Sequence, residues 1–192
     1  MKIYLIRHGQ TTGDLEDRYG GDYDDHLTDE GKSQSKKLAQ KLKEKGIEVV
    51  FASSRFRAQE TAKIIADILK IPLNTIDDIR ERNAYGILTG MIKDEAKIKH
   101  PNEYEAVKNY KNNITGAETY EHFKSRILKA FDDIASKNYQ TIAIITHGGP
   151  ISCFFREVLK REIFGTRDCG IIELEKNGKY KIIATNGLMI KE

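Results

Sequence analysis

A chain of 192 residues, 39% hydrophobic and 32% charged, is long enough to bury a core of its own and reads as one soluble globular domain spanning residues 1–192. Its 32 basic and 29 acidic residues leave a formal charge of +3, too small and too scattered an excess to mark a nucleic-acid or membrane partner. Two cysteines, Cys153 and Cys169, exclude a disulfide framework and a Cys-rich zinc fold; one disulfide stays open, with unpaired buried thiols the default expectation.

Residues 2–7 (Lys-Ile-Tyr-Leu-Ile-Arg) form a short apolar run rich in β-formers, the pattern of a buried strand. The run is cut at Arg7-His8, shorter than a signal-peptide core, and no segment approaches the ~20 apolar residues of a bilayer span. The expected compartment is therefore the cytoplasm. The polar, Gly- and Asp-rich stretch from Gln10 to Leu27 is long for a structureless loop, and such loops are usually functional. Thr28 as N-cap, with Asp29 and Glu30 in the first turn, predicts a helix to about Lys45, with Leu38 and Leu42 on one face and Gly46 at its end.

Glu48–Ala52 reads as a second buried strand. A helix capped by Ser53 or Ser54 then runs to about Lys70, with Ala58, Ala62, Ile65 and Leu69 at helical spacing. Pro72 marks a turn and Leu73–Ile79 a short strand. Amphipathic helices are expected over Ile92–Lys111 and Tyr120–Ser136, separated by Thr115-Gly116. Thr141–Thr146 is the clearest buried strand, and a helix follows over about Ile151–Lys160. Gly170–Leu174 and Lys179–Ala184 flank Asn177-Gly178, a strong hairpin signal. The alternation predicts an α/β fold: a three-layer α/β/α sandwich whose mixed sheet is mostly parallel, with an antiparallel edge.

Ligands of open α/β sheets bind outside the carboxyl ends of the parallel strands. Arg7-His8-Gly9 follows the first strand, Ser53-Ser54-Arg55-Phe56-Arg57 the second, and His147-Gly148-Gly149 the strong later one. Singly, a strand-end histidine is as readily a satisfied polar residue, and a helix-start arginine a solvated one. Together they describe an anion site, because guanidinium groups match phosphate bidentately and a histidine among them can attack phosphorus. Zinc is disfavoured: His8 and His147 lack a third ligand, no His-Glu-x-x-His or Cys-x-x-Cys occurs, and the arginines would repel a dication. No Gly-x-x-x-x-Gly-Lys-Ser/Thr loop is present.

Arg7-His8-Gly9-Gln10-Thr11 resembles the Arg-His-Gly motif of the histidine phosphatase superfamily, in its phosphoglycerate mutase-like branch. The resemblance continues in order along the chain. Leu27-Thr28-Asp29-Glu30-Gly31 is similar to the family's Leu-Thr-x-x-Gly helix start, and Ser53 through Ala62 to its Ser-x-x-x-Arg-Ala-x-x-Thr-Ala segment. Arg80-Glu81-Arg82 with Tyr85-Gly86 and Gly90 resembles its acid-bearing stretch. Gly116-Ala117-Glu118-Thr119 with Arg126 resembles its Gly-Glu-Ser segment, and Thr146-His147-Gly148-Gly149 its second histidine motif.

The resemblance implies a phosphoglycerate mutase-like fold and a phosphatase acting on a small phosphorylated metabolite, with no metal or organic cofactor, as a monomer or homodimer. It implies that His8 attacks phosphorus and that Arg7, Arg57 and His147 hold the phosphoryl oxygens. Thr11, Asp14 and Gly148 lie beside them in the phosphate-binding set, and Glu81 acts as general acid and base. Departures from the family pattern are Asp14 in place of Asn, Arg55 in place of an apolar residue, and one extra residue between Glu81 and Gly86. Arg55 is expected solvated or at the pocket rim. Asp14 is expected either to repel phosphate or to bind an arginine such as Arg18. The acidic run Asp14, Glu16, Asp17, Asp22, Asp24 and Asp25 is expected to be a solvated loop; the sharper alternative is that it disfavours a second phosphate. Glu118 is expected to orient the pocket or to serve as a helix-start carboxylate. His26 is placed at the entrance, His100 and His122 in solvent, and Tyr85, Tyr104 and Tyr110 either at the pocket floor or in the core.

Two other readings stay open. A phosphoglycerate mutase would need added loops and a tail, and the short stretch between Gly90 and Gly116 favours hydrolysis. A catalytically inactive phosphate-binding regulatory protein would explain Asp14 and the Glu81 spacing, but not the retained Arg7, His8, Arg57 and His147.

Overall fold

A computed structural model describes residues 1–190 of the chain. In chain order the elements are β1 (Lys2–Arg7), α1 (Thr12–Leu15), α2 (Asp29–Leu42), β2 (Val49–Ala52), α3 (Phe56–Leu69), β3 (Leu73–Thr75), α4 (Lys93–Lys99), α5 (Pro101–Ala106), α6 (Tyr120–Ala135), β4 (Thr141–Thr146), α7 (Gly148–Glu157), β5 (Ile163–Asn177) and β6 (Lys179–Ile190). The sheet runs β3-β2-β4-β1-β5-β6. Its first four strands are mutually parallel, and β5 and β6 add an antiparallel edge.

Side chains alternate across the parallel strands and so feed two cores. Ile3, Leu5, Val49, Phe51, Ile142 and Ile144 pack against Phe123, Ile127 and Phe131 of α6 and Phe154 and Phe155 of α7. Tyr4, Ile6, Val50, Ala52, Ala143 and Ile145 pack on the other face against Leu38 and Leu42 of α2 and Ala58, Ala62 and Ile65 of α3. Both faces of the sheet are covered, which is why its strands read as continuous apolar runs. A third, small cluster of Tyr19, Leu88 and Ala96, joined by Tyr85, Met91 and Tyr104, binds the loop after β1 to α4 and α5. Backbone bonds reinforce it, from Tyr19 N to Met91 O and from Gly90 N to Tyr19 O.

Four expectations are corrected. The helix predicted over Ile92–Lys111 is two short helices, because Pro101 has no N–H to continue α4 and keeps His100 out of the helical conformation (φ −138°, ψ 60°). The strand predicted over Leu73–Ile79 stops at Thr75, opposite Ala52 where β2 ends, and turns into a 3₁₀ turn at Asp77–Ile79. The last helix begins at Gly148, with Pro150 in its first turn, where a missing N–H costs nothing. The hairpin is longer than its turn signal suggested, and its register shifts between Thr166 and Ile171. Both cysteines are free, Cys153 buried and Cys169 half-buried. No helix among the described residues is long and apolar enough to cross a membrane.

Candidate active site

Strand register brings the motifs together. Arg7 lies opposite Thr146 and Ala52 opposite Ile145, so His8, Ser53 and His147 leave the sheet side by side. His8 N donates to Thr146 O (3.0 Å) and Ser53 N to Ile145 O (3.0 Å). The first turn of α2 closes on this row. A Cβ at Gly9 would lie 2.6 Å from Gly31 O, and one at Gly31 would lie 2.1 Å from Gln10 O. Glycine at both positions is therefore a packing requirement.

His8 is buried, with its Nδ1 2.8 Å from Gly9 O, and Gly9 N donates to Thr61 Oγ1 (3.1 Å). Arg57 Nε lies 3.3 Å from His8 Nε2 and 3.2 Å from His147 Nδ1. An arginine nitrogen only donates, so both ring nitrogens facing it are acceptors. His8 then carries its proton on Nδ1, given to Gly9 O, and keeps a lone pair on Nε2. His147 carries its proton on Nε2, 2.8 Å from Ser53 Oγ. Burial, and then the Arg57 charge, push both imidazoles well below their ordinary pKa of 6.5.

The two arginines are held differently. Arg57 Nη1 donates to Tyr23 O (2.6 Å) and Asp25 Oδ1 (2.9 Å), and Nη2 donates to Gly21 O (3.0 Å). Arg7 Nη1 donates to Thr166 O (2.6 Å), and its Nη2 stands 3.6 Å from Asp14 and 3.3 Å from Asp168. Arg7 Nε is buried without an acceptor among the described residues. The register shift in β5 builds this side of the site: residues 167–170, set against the single Gly187 of β6, let Cys169 N reach His8 O (3.0 Å) and turn Asp168 toward Arg7.

The acidic run is a largely exposed loop, as expected, with only Asp25 buried, but its carboxylates are not unpaired. Each of its six carboxylates meets a cation: Asp14 meets Arg7, Glu16 Arg18, Asp17 Lys93, Asp22 and Asp24 Arg55, and Asp25 Arg57. Asp14 thus binds Arg7 in place of the expected Arg18, which donates instead to Glu16 and to Gly90 O. It also caps α1 reciprocally with Thr11, accepting from Thr11 N (2.9 Å). Arg55 is neither solvated nor on the cavity wall, since Asp22 and Asp24 take its charge. The cap of α3 comes from this loop as well: Asp24 Oδ1 accepts from Phe56 N (2.7 Å), a role expected of Ser53 or Ser54.

Glu81 Oε1 accepts from Arg82 N (2.8 Å) and Oε2 from Gly149 N (3.0 Å), at the start of α7. The longer loop after Glu81 does not displace it from the cavity. Arg126 fixes the backbone on that side, donating to Asp78 O, Arg80 O and Glu81 O. Glu118 grips Arg126 through both carboxylate oxygens (2.7 and 2.8 Å). Burial works against ionised Glu118, but the bonds from Arg126 and His122 outweigh it and hold the carboxyl below its usual range. Glu118 thus holds Arg126 and, through it, the backbone that carries Glu81.

A cavity of about 670 Å³ opens at this end of the sheet. Arg7, His8, Thr11, Asp14, Arg57, Glu81 and Gly148 line it, as do Tyr85 and Tyr110. His147, expected against the phosphoryl oxygens, sits fully buried behind Arg57, because its Nδ1 is taken by Arg57 and its Nε2 by Ser53. Tyr104 packs in the small cluster, and His26 pairs with Glu60 and stacks on Phe56 rather than lining the cavity. Among the described residues no three His, Cys, Asp or Glu side chains gather as a metal ion would require. Sequence reasoning missed Asp25, Asp168 and the role of Ser53; only Asp25 carried a signal, as one of an acidic run preceding an arginine-rich segment.

The architecture is that of phosphoglycerate mutase-like proteins. The α-ribazole phosphatase from Shigella flexneri superposes with a TM-score of 0.87 over 100% of this chain and 99% of that one, at 22% identity, a likeness of fold. Residues 3–186 match the model of the histidine phosphatase superfamily (branch 1), and the chain belongs to that family. Its relatives are named as mutases and as phosphatases. Phosphoglycerate mutase-like protein 4 of Arabidopsis thaliana is 32% identical over 160 residues, 80% of this chain and 69% of that protein. The metal-independent phosphoserine phosphatase of the same plant is 29% identical over 170 residues, covering 85% and 71%.

Proposed function

We propose that this protein is a metal-independent phosphatase that hydrolyses a small-molecule phosphate monoester through a phosphohistidine on His8. The observation that carries the reading is the state of His8: buried on the cavity wall, neutral, with Nδ1–H held by Gly9 O and Nε2 unprotonated, its lone pair turned to Arg57 Nε at 3.3 Å. A nucleophilic imidazole needs that tautomer.

In the first step His8 Nε2 bonds to phosphorus as the ester P–O bond breaks. Glu81 gives its proton to the departing alkoxide. Arg7 and Arg57, both on the cavity wall, hold the phosphoryl oxygens, so that positioning and charge supply most of the rate. His147 acts through Arg57, whose Nε it fixes. In the second step Glu81 takes a proton from water, the resulting hydroxide attacks phosphorus, and the P–N bond breaks to release inorganic phosphate.

The test is phosphate release from p-nitrophenyl phosphate in the presence of EDTA, with the wild type and His8→Ala. The wild type is expected to turn over and to retain an acid-labile phosphoryl label after quenching, with both signals lost in His8→Ala. Equal rates for the two proteins would remove His8 as nucleophile. A requirement for added metal would end the metal-independent reading. Transfer of phosphate from a bisphosphate to an acceptor without release would make the protein a mutase.

A further inference from the structure

Part of the cavity wall is built from residues that the proposed chemistry leaves unused. Arg156, in the last turn of α7, reaches across to Tyr110 and Tyr120. Its guanidinium lies over the Tyr110 ring, 4.2 Å from the centroid, and Nη1 donates to Tyr120 Oη (2.8 Å). Tyr120 Oη in turn donates to Glu157 Oε1 (2.8 Å), and the two tyrosine rings meet edge to face at 5.0 Å.

A cation in a last helical turn is commonly there for the helix dipole. Arg156 differs in that its hydrogen bond goes to Tyr120 and not to the carbonyls of α7. Stacking covers the face of the guanidinium and Tyr120 takes one end. The Nε–Nη2 edge keeps two parallel N–H donors with no acceptor among the described residues, and no carboxylate of those residues pairs with the charge. That edge is a preformed bidentate fork for a carboxylate or phosphate. Arg82 adds a second cation, 5.6 Å from the Tyr120 centroid, and is itself bonded to backbone carbonyls and Asn113 rather than to an acid.

Arg156 and its two tyrosines border open space. Tyr110, Tyr120 and Arg156 line both the cavity of about 670 Å³ that holds His8 and an adjoining one of about 470 Å³. The first alone is large enough to enclose a whole small molecule and not just a phosphoryl group. His8 and Arg156 therefore share one cavity, in which an ester with phosphorus at His8 must place its alcohol half.

We propose that Arg156, held by Tyr110 and Tyr120, binds a second anionic group on the alcohol half of the substrate, so that the preferred esters carry a carboxylate or a second phosphate. This rests on reading the cavity as a phosphatase site. It runs opposite to the expectation that the acidic loop disfavours a second phosphate; each carboxylate of that loop has a cation partner.

The experiment measures phosphate release from matched alkyl phosphates of two, three and four carbons, each ending in a methyl, a carboxylate or a phosphate. For the wild type, kcat/KM for one anionic series is expected to exceed the methyl series by about ten- to a hundredfold, the range of a charge-assisted bond. Arg156→Gln is expected to bring that ratio within about threefold of unity. Arg156→Lys, which keeps the charge and stem but loses the fork, is expected to retain part of it, and it serves if the glutamine variant does not fold. The series in which the preference appears identifies the anion. Wild-type hydrolysis that ignores the terminal group, or a preference that survives in Arg156→Gln, overturns the inference while leaving the phosphatase reading intact. No release from any ester, p-nitrophenyl phosphate included, overturns both.

Discussion

Asp25 and Arg57 form an ion pair with both side chains buried, Oδ1 2.9 Å from Nη1 and exposures of 5% and 4%. Asp25 Oδ2 also accepts from Gly13 N (3.2 Å), so the carboxylate ties the loop after β1 to the arginine beside His8. It is the counterion that lets Arg57 stay desolvated. Asp25→Asn leaves a buried charge unpaired and is expected to lose about 3 kcal/mol of stability, measured by urea unfolding. Phosphate or vanadate should restore more stability to this variant than it adds to the wild type, because the anion becomes the missing counterion. Equal anion dependence in the two proteins would mean that Asp25 does not set the charge at Arg57.

The two buried imidazoles give stability a definite pH dependence. Their folded pKa values lie well below 6.5, so between those values and about 6.5 the unfolded chain binds protons that the folded chain refuses. Stability falls as pH falls through that window, by at most about 1.4 kcal/mol per pH unit for each histidine. His26 acts in the opposite sense: its hydrogen bond to Glu60 raises its pKa, so its contribution is present at low pH and lost as pH rises through the raised value. Urea unfolding from pH 7.5 to 5.5 in a His26→Gln background should show the slope, and His147→Gln should reduce it by about half. A flat profile would contradict neutral His8 and His147.

Ser53 accepts from His147 Nε2 and lies wholly buried. Ser53→Ala leaves that N–H without a partner, at a cost of about 1–3 kcal/mol. If His147 works by fixing Arg57, KM for phosphate esters should rise more than kcat falls, and Ser53→Thr should restore both. A drop confined to kcat would place His147 in the chemical step instead.

The sheet was legible because its strands are short and covered on both faces. Thr141–Thr146 and Lys2–Arg7 have the same bounds in the sequence pattern and in the fold. The cavity was legible at the strand ends because parallel topology brings those ends together, whatever the intervening loops do. What escaped was set by contacts between residues far apart in the chain. Asp24 caps a helix 32 residues later, and nothing local distinguishes it from Asp22 or from a solvated carboxylate. Asp168 reaches Arg7 only because β5 carries extra residues against β6, a register detail with no sequence signal. The Pro101 break was visible, but helical periodicity on both sides of it outweighed the missing N–H in the reading.

Gly149 ties the backbone to the proposed acid–base chemistry. Its N–H donates to Glu81 Oε2, and a Cβ there would lie 2.0 Å from Oε1 and 3.0 Å from the carboxyl carbon. Gly149→Ala must therefore move the carboxylate. p-Nitrophenolate leaves readily without a proton, whereas an alkoxide leaves poorly without one. If Glu81 is the general acid, Glu81→Gln should slow alkyl phosphate hydrolysis by about 10²–10⁴-fold while slowing release of p-nitrophenolate far less. Gly149→Ala should reproduce that asymmetry in milder form, with an unfolding midpoint close to wild type, since the added methyl meets a side chain and not the core. An equal loss on both classes of ester would mean that Glu81 shapes the site without handing over the proton.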